Sequence, residues 1–88
     1  MSYNIIRASM HRDEEKHWLG NTVFTIGESK TEYEISFFSK NGKDWDYSLH
    51  FAAEPGVEEE FLQLDARLEE DDDLYNDLLD AAIDSIPE

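Results

Sequence analysis

Apolar and polar residues alternate strictly in two stretches of the chain. Glu32-Tyr33-Glu34-Ile35-Ser36-Phe37 puts Tyr33, Ile35 and Phe37 on one face, and residues 44–51 put Trp45, Tyr47, Leu49 and Phe51 together. A period of two predicts strands with one buried and one wet face. Asn21-Thr22-Val23-Phe24-Thr25-Ile26 is β-branched and aromatic, which predicts a third strand. Residues 3–10 predict a fourth, with imperfect alternation because Ile5 and Ile6 are adjacent. Residues 11–20 are polar and mixed in charge, and read as a loop from which Trp18 and Leu19 turn back to the core. Gly27-Glu28-Ser29-Lys30 reads as a turn.

Asn41-Gly42 lies between the two alternating stretches, a strong hairpin signal. A two-residue loop would set Phe38 opposite Trp45 and Phe37 opposite Asp46, placing the two apolar sets on opposite faces. A three-residue loop, Lys40-Asn41-Gly42, pairs Phe37 with Trp45, Ile35 with Tyr47 and Tyr33 with Leu49. Directly opposite residues share a face, so the second register is the one expected. It implies a type I turn with Gly42 in a left-handed bulge position.

Pro55 and Gly56 end this pattern, and a helical period takes over. Val57, Phe61, Leu64 and Leu68 follow i, i+4, i+7, i+11, one stripe of a helix, with Glu58, Glu59 and Glu60 in its first turn. Leu62, Leu64, Ala66 and Leu68 also alternate as a strand would, but the good helix formers around them favour the helix. Asp71-Asp72-Asp73 supplies a cap and an acidic first turn for a second helix. Its apolar side is Leu74, Tyr75, Leu78, Leu79, Ala82, Ile83 and Ile86, and Pro87 marks its end. The expected fold is one two-layer α+β domain spanning residues 1–88: an antiparallel sheet of three to four strands, then two helices on one face.

Charge changes this picture most. Residues 54–88 hold fourteen acids against one base, Arg67, a formal −13 of the chain's −15. A chain so acidic is repelled by nucleic-acid phosphates and by anionic membranes. No Cys is present, which excludes disulfides and thiolate chemistry and suits a reducing compartment. No signal peptide or membrane span is expected, so the reading is a cytoplasmic protein.

Candidate chemistry is sparse. No Gly-x-Ser-x-Gly elbow, phosphate-cradling loop or EF-hand loop is present. His11, Asp13, Glu14, Glu15 and His17 form a His-x-Asp-Glu-Glu-x-His segment whose spacing matches no defined metal motif. His50 reads as a cross-strand partner of Glu32 or Glu34. The expectation is a protein that is not an enzyme and holds no cofactor or metal.

The acids of the first helical turns have a local explanation in capping and the helix dipole. Asp73 also begins a stripe with Asp77, Asp80 and Asp84 whose later members have no such explanation, because no Lys or Arg is interspersed and like charges at i,i+4 cost a few tenths of a kcal/mol. Those four, extended by Glu69, Glu70, Asp71 and Asp72, are the candidate partner-binding residues. Their expected partner is a basic protein surface, such as that of a nucleic-acid-binding protein or nuclease, occluded in an inhibitor, immunity-type or nucleic-acid-mimic role. The alternative is a self-association module in which the acids only solvate the surface and Phe38, on the outer sheet face, makes the contact.

Overall fold

The computed structural model describes residues 3–27 and 30–85. Four strands, β1 (Tyr3–Arg12), β2 (Trp18–Ile26), β3 (Tyr33–Ser39) and β4 (Asp46–Phe51), are followed by two helices, α1 (Glu58–Glu70) and α2 (Asp72–Asp84). The strands form an antiparallel meander in the order β1-β2-β3-β4. Both helices pack on one face, so the domain is the expected α+β sandwich of a sheet and a helical layer.

Alternation decides which residues meet. Phe24 of β2, with Tyr33, Ile35 and Phe37 of β3, is buried under Leu64 and Leu68 of α1 and Leu74, Leu78, Leu79 and Ala82 of α2. α2 lies over β1 and β2. There Thr22 Oγ1 donates to the carbonyl of Leu78 at 2.8 Å, a buried bond that ties sheet to helix. α1 sits toward the β4 edge, where the Phe61 ring packs at a tilt, 5.0 Å from that of Phe51 and 6.4 Å from that of Tyr33. Gly20 leaves room for Met10: a Cβ at that position would meet Met10 Cε at 2.5 Å.

Four local expectations are corrected. Half of the 11–20 segment is strand, since His11 pairs with Leu19 and Arg12 with Trp18, leaving residues 13–17 as the connection. The Arg12 guanidinium lies 4.7 Å from the Trp18 ring centre, and this cation–π contact extends the ladder past the polar composition. The β1–β2 pairing also carries a register shift between Ile5 and Arg7, which accounts for the adjacent isoleucines.

The β3–β4 register differs by two residues from the expected one. Phe37 faces Tyr47, Ile35 faces Leu49 and Tyr33 faces Phe51. A shift of two preserves the faces, so the apolar sets still coincide. Side chains hold the wider connection: Asn41 Oδ1 accepts from the amides of Lys43 at 2.8 Å and Asp44 at 3.0 Å, and Ser39 Oγ accepts from the Gly42 amide at 2.8 Å. Gly42 does take the left-handed conformation, at φ 78°.

Residues 58–70 are helical, not strand: Leu64 and Leu68 are buried, whereas Leu62 is 58% exposed and Ala66 is exposed. Val57 is not on the buried stripe. It is the N-cap, 57% exposed, and contributes its carbonyl to the Phe61 amide at 3.1 Å. Ile83 is exposed as well, at the rim of the helical layer. Glu28, Ser29, Ile86 and Pro87, to which a turn, a core position and a helix end were assigned, lie outside the described residues.

Packing between the sheet and the helices raises the pKa of three tyrosines. Burial is the main cause at Tyr33, Tyr47 and Tyr75; negative charge adds to it from Glu60 at Tyr33, from Asp65 and Glu69 at Tyr47, and, after Tyr47, from Asp46 at Tyr75. The folded state therefore holds these protons more tightly than the unfolded chain. Their contribution to stability is full below the ordinary phenol value of about 10 and is lost as pH rises through the folded values. Ultraviolet titration should show tyrosine ionisation above that value, and urea midpoints should fall as pH is raised beyond it; unchanged midpoints would contradict the assignment.

Candidate functional site

The candidate site is built on the junction of the two helices. α1 ends and α2 begins around one residue, Asp71, in an extended conformation at φ −105° and ψ 91°. Its amide donates to the Arg67 carbonyl at 2.7 Å and closes α1. Its Oδ1 accepts from the Leu74 amide at 3.1 Å and opens α2. Its Oδ2 meets Arg67 Nη2 at 3.2 Å. An aspartate is suited to this position because its short carboxylate reaches the N3 amide while its charge opposes the helix dipole.

The eight sequence candidates separate by what they do inside the molecule. Asp71 is the cap just described, so both its carboxylate oxygens are engaged. Asp77 accepts a hydrogen bond from the Tyr3 hydroxyl, linking α2 to the start of β1. Glu69, Glu70, Asp72, Asp73, Asp80 and Asp84 are all exposed. Among the described residues, none of these six takes part in a salt bridge or a side-chain hydrogen bond. Asp73, Asp77, Asp80 and Asp84 repeat along the side of α2 opposite Leu78 and Ala82, one carboxylate every ~5–6 Å over about 16 Å of helix.

Electrostatics follow from this layout. Arg67 is the one base of α1 and lies in its last turn, while the last turn of α2 has none. The Arg67 charge is already matched by Asp71. Two open hollows flank the junction, one of about 530 Å³ lined by Arg67, Glu70, Asp71, Asp72 and Asp73, the other of about 250 Å³ reaching Tyr3 and Asp77. The surface thus presents carboxylates in a row and around shallow recesses, with nothing of opposite sign left over in the helices.

Other polar groups make a second, smaller constellation. On the bare face of the sheet, Ser9 Oγ donates to Asn21 Oδ1 at 2.8 Å, and His50 Nε2 faces Glu34 Oε1 at 2.6 Å and Ser36 Oγ at 3.5 Å. Of the two partners expected for His50, Glu32 and Glu34, the observed register puts Glu34 opposite it. The same ring nitrogen meets both the serine and the carboxylate, so the three groups cannot form a relay, which needs both nitrogens of the imidazole. Phe38 lies on this face, opposite Leu19, with the His17 ring edge-on at 5.3 Å.

In the 11–17 segment, Asp13, Glu15 and His17 converge, whereas His11 belongs to β1 and is not among them. Asp13 is pinned by its Oδ1, which accepts from the amides of Glu15 at 2.9 Å and His17 at 2.8 Å. The His17 amide bond is the main reason its carboxyl is held below the ordinary aspartate value. The sequence placed Asp13, Glu15 and His17 together with His11 and Glu14 in one His-x-Asp-Glu-Glu-x-His segment but did not separate the three from the other two, because only the turn geometry brings i, i+2 and i+4 together.

No helix among the described residues is long and apolar enough to cross a membrane. Comparison with protein-family models, curated proteins and solved structures finds no match for this chain.

The division of the acids into internal and external ones is testable. Asp71→Ala removes a cap and leaves Arg67 unpaired, and should cost about 1–2 kcal/mol in urea unfolding. Asp71→Asn, which keeps the capping oxygen, should cost less. Asp72→Ala, one residue along and exposed, should stay within about 0.5 kcal/mol of the parent. Equal losses at 71 and 72 would remove the distinction.

Proposed function

We propose that this protein binds a basic surface of another protein and occludes it, with the outer side of α2 and the α1–α2 junction as the contact. The observation that carries the proposal is the row of exposed carboxylates with no internal partner: Asp73, Asp80 and Asp84, extended by Glu69, Glu70 and Asp72. Ordinary helical surfaces interleave both signs, since Glu–Lys pairs at i,i+4 stabilise by a few tenths of a kcal/mol and like pairs destabilise by as much. This surface forgoes that gain.

A linear array of negative charge fits a surface shaped to hold phosphates. The partner class is therefore a nucleic-acid-binding protein or a nuclease, and the role is inhibitory, immunity-type or nucleic-acid-mimicking. Long-range attraction speeds such an encounter and makes it sensitive to salt. Absence of Cys suits an encounter in the cytoplasm. The proposal assigns no catalysis to the chain.

A second reading is self-association through the bare sheet face, favoured by the neighbouring Leu19 and Phe38 side chains there. One set of measurements separates the two. Capture from the native host at low salt, followed by elution at moderate salt, should recover a basic protein whose affinity falls at least about tenfold when Asp73, Asp80 and Asp84 become Asn. Unchanged affinity in that variant sinks the proposal. A concentration-independent dimer by light scattering, lost in Phe38→Glu, establishes the second reading instead.

A further inference from the structure

The connection between β1 and β2 carries a feature that the acidic helices do not explain. His17 Nδ1 lies 3.5 Å from Asp13 Oδ2 and 3.5 Å from Glu15 Oε2. A charge-assisted hydrogen bond from imidazole to carboxylate spans about 2.7–2.9 Å. The ring nitrogen therefore faces both carboxylates at a distance that suits neither as a hydrogen-bond partner. The donor atoms of the three residues all lie within 4.8 Å of one another.

These separations are those of ligands around a metal ion. With two sides of 3.5 Å and a third of at most 4.8 Å, the nearest point equidistant from the three donors lies no more than ~2.4 Å from each. Zinc takes imidazole nitrogen and carboxylate oxygen at about 2.0–2.2 Å, and a tetrahedron of such bonds has edges of about 3.4 Å. The set mixes one nitrogen with two oxygens. Calcium and magnesium take oxygen donors, whereas imidazole with carboxylate suits zinc and its first-row neighbours.

The donors are held by one contact from outside the set and by backbone bonds within it. Phe38 of β3 meets the His17 ring edge-on at 5.3 Å and limits its rotation. The Asp13 carboxylate spends Oδ1 on two backbone amides, which leaves Oδ2 turned to the ring. The nearby cation Arg12 is drawn away, lying over Trp18 and donating to the Lys16 carbonyl at 3.4 Å. Glu15 is 78% exposed in its side chain, so the open side of the site admits water as the remaining ligand.

We infer that Asp13, Glu15 and His17 form a binding site for one divalent transition-metal ion, with zinc as its representative, at the tip of the β1–β2 hairpin. The test is calorimetric titration of Zn²⁺ into the full chain after removal of metal with a chelator. A single saturable step is expected. Glu15→Gln and His17→Gln should each weaken it by more than about tenfold, since loss of a group that merely supports a ligand already costs that much. Glu15 is exposed, so its variant keeps the fold, and circular dichroism verifies both. Asp80→Asn/Asp84→Asn should leave the step unchanged, and Mg²⁺ should not compete for it. The inference is overturned if no saturable step occurs, if both hairpin variants bind as the parent does, or if the helix variant abolishes binding.

Discussion

Asp71 stands alone between α1 and α2, and its amide, carbonyl and two carboxylate oxygens complete both helices at once. A junction of one residue allows no independent placement. Once Leu64 and Leu68 of α1 seat against the sheet, α2 must start at a fixed place and heading, and Leu74, Leu78 and Ala82 follow into the same core. The exposed sides of the two helices are set by the same constraint. Their acids form one continuous skin because the core leaves them no other direction.

The energetic scales of the two surfaces differ. Truncating a core leucine such as Leu78 typically costs about 2–5 kcal/mol, whereas each like-charge pair on α2 costs a few tenths. The core can therefore carry an unfavourable charge pattern without losing the fold. That imbalance lets the outer side of α2 be set by something other than stability. Asp71 and Asp77 belong to the architecture, through the cap and the Tyr3 bond. Asp80 and Asp84 belong to the surface alone, and they lie in the half of α2 where the helix dipole disfavours negative charge.

Much of this was legible in the sequence, and the gaps have physical causes. Alternation at 32–37 and 44–51 revealed the hairpin and its faces, because period two is a direct record of burial. It did not reveal the register, since a slip of two residues leaves every side chain on the same face; the side-chain bonds of Ser39 and Asn41 decide it. The polar run 11–20 concealed two strand ends because Arg12 and Trp18 pair through a ring contact, not through hydrophobic pattern. The acidic stripe could be read from spacing, but not that Asp77 is tied to Tyr3, a partner 74 residues away. The convergence of Asp13, Glu15 and His17 was illegible for the same reason: it depends on how a turn folds back.

On this reading the acids on the outer side of α2 lower the stability of the fold. The stability of Asp80→Asn/Asp84→Asn at low ionic strength tests it most directly. Relief of one like-charge pair and of two charges near the helix C-terminus should raise the unfolding free energy by about 0.5–1.5 kcal/mol, and added salt should shrink the gain. A variant less stable than the parent would show that these carboxylates serve the fold, and would contradict the account.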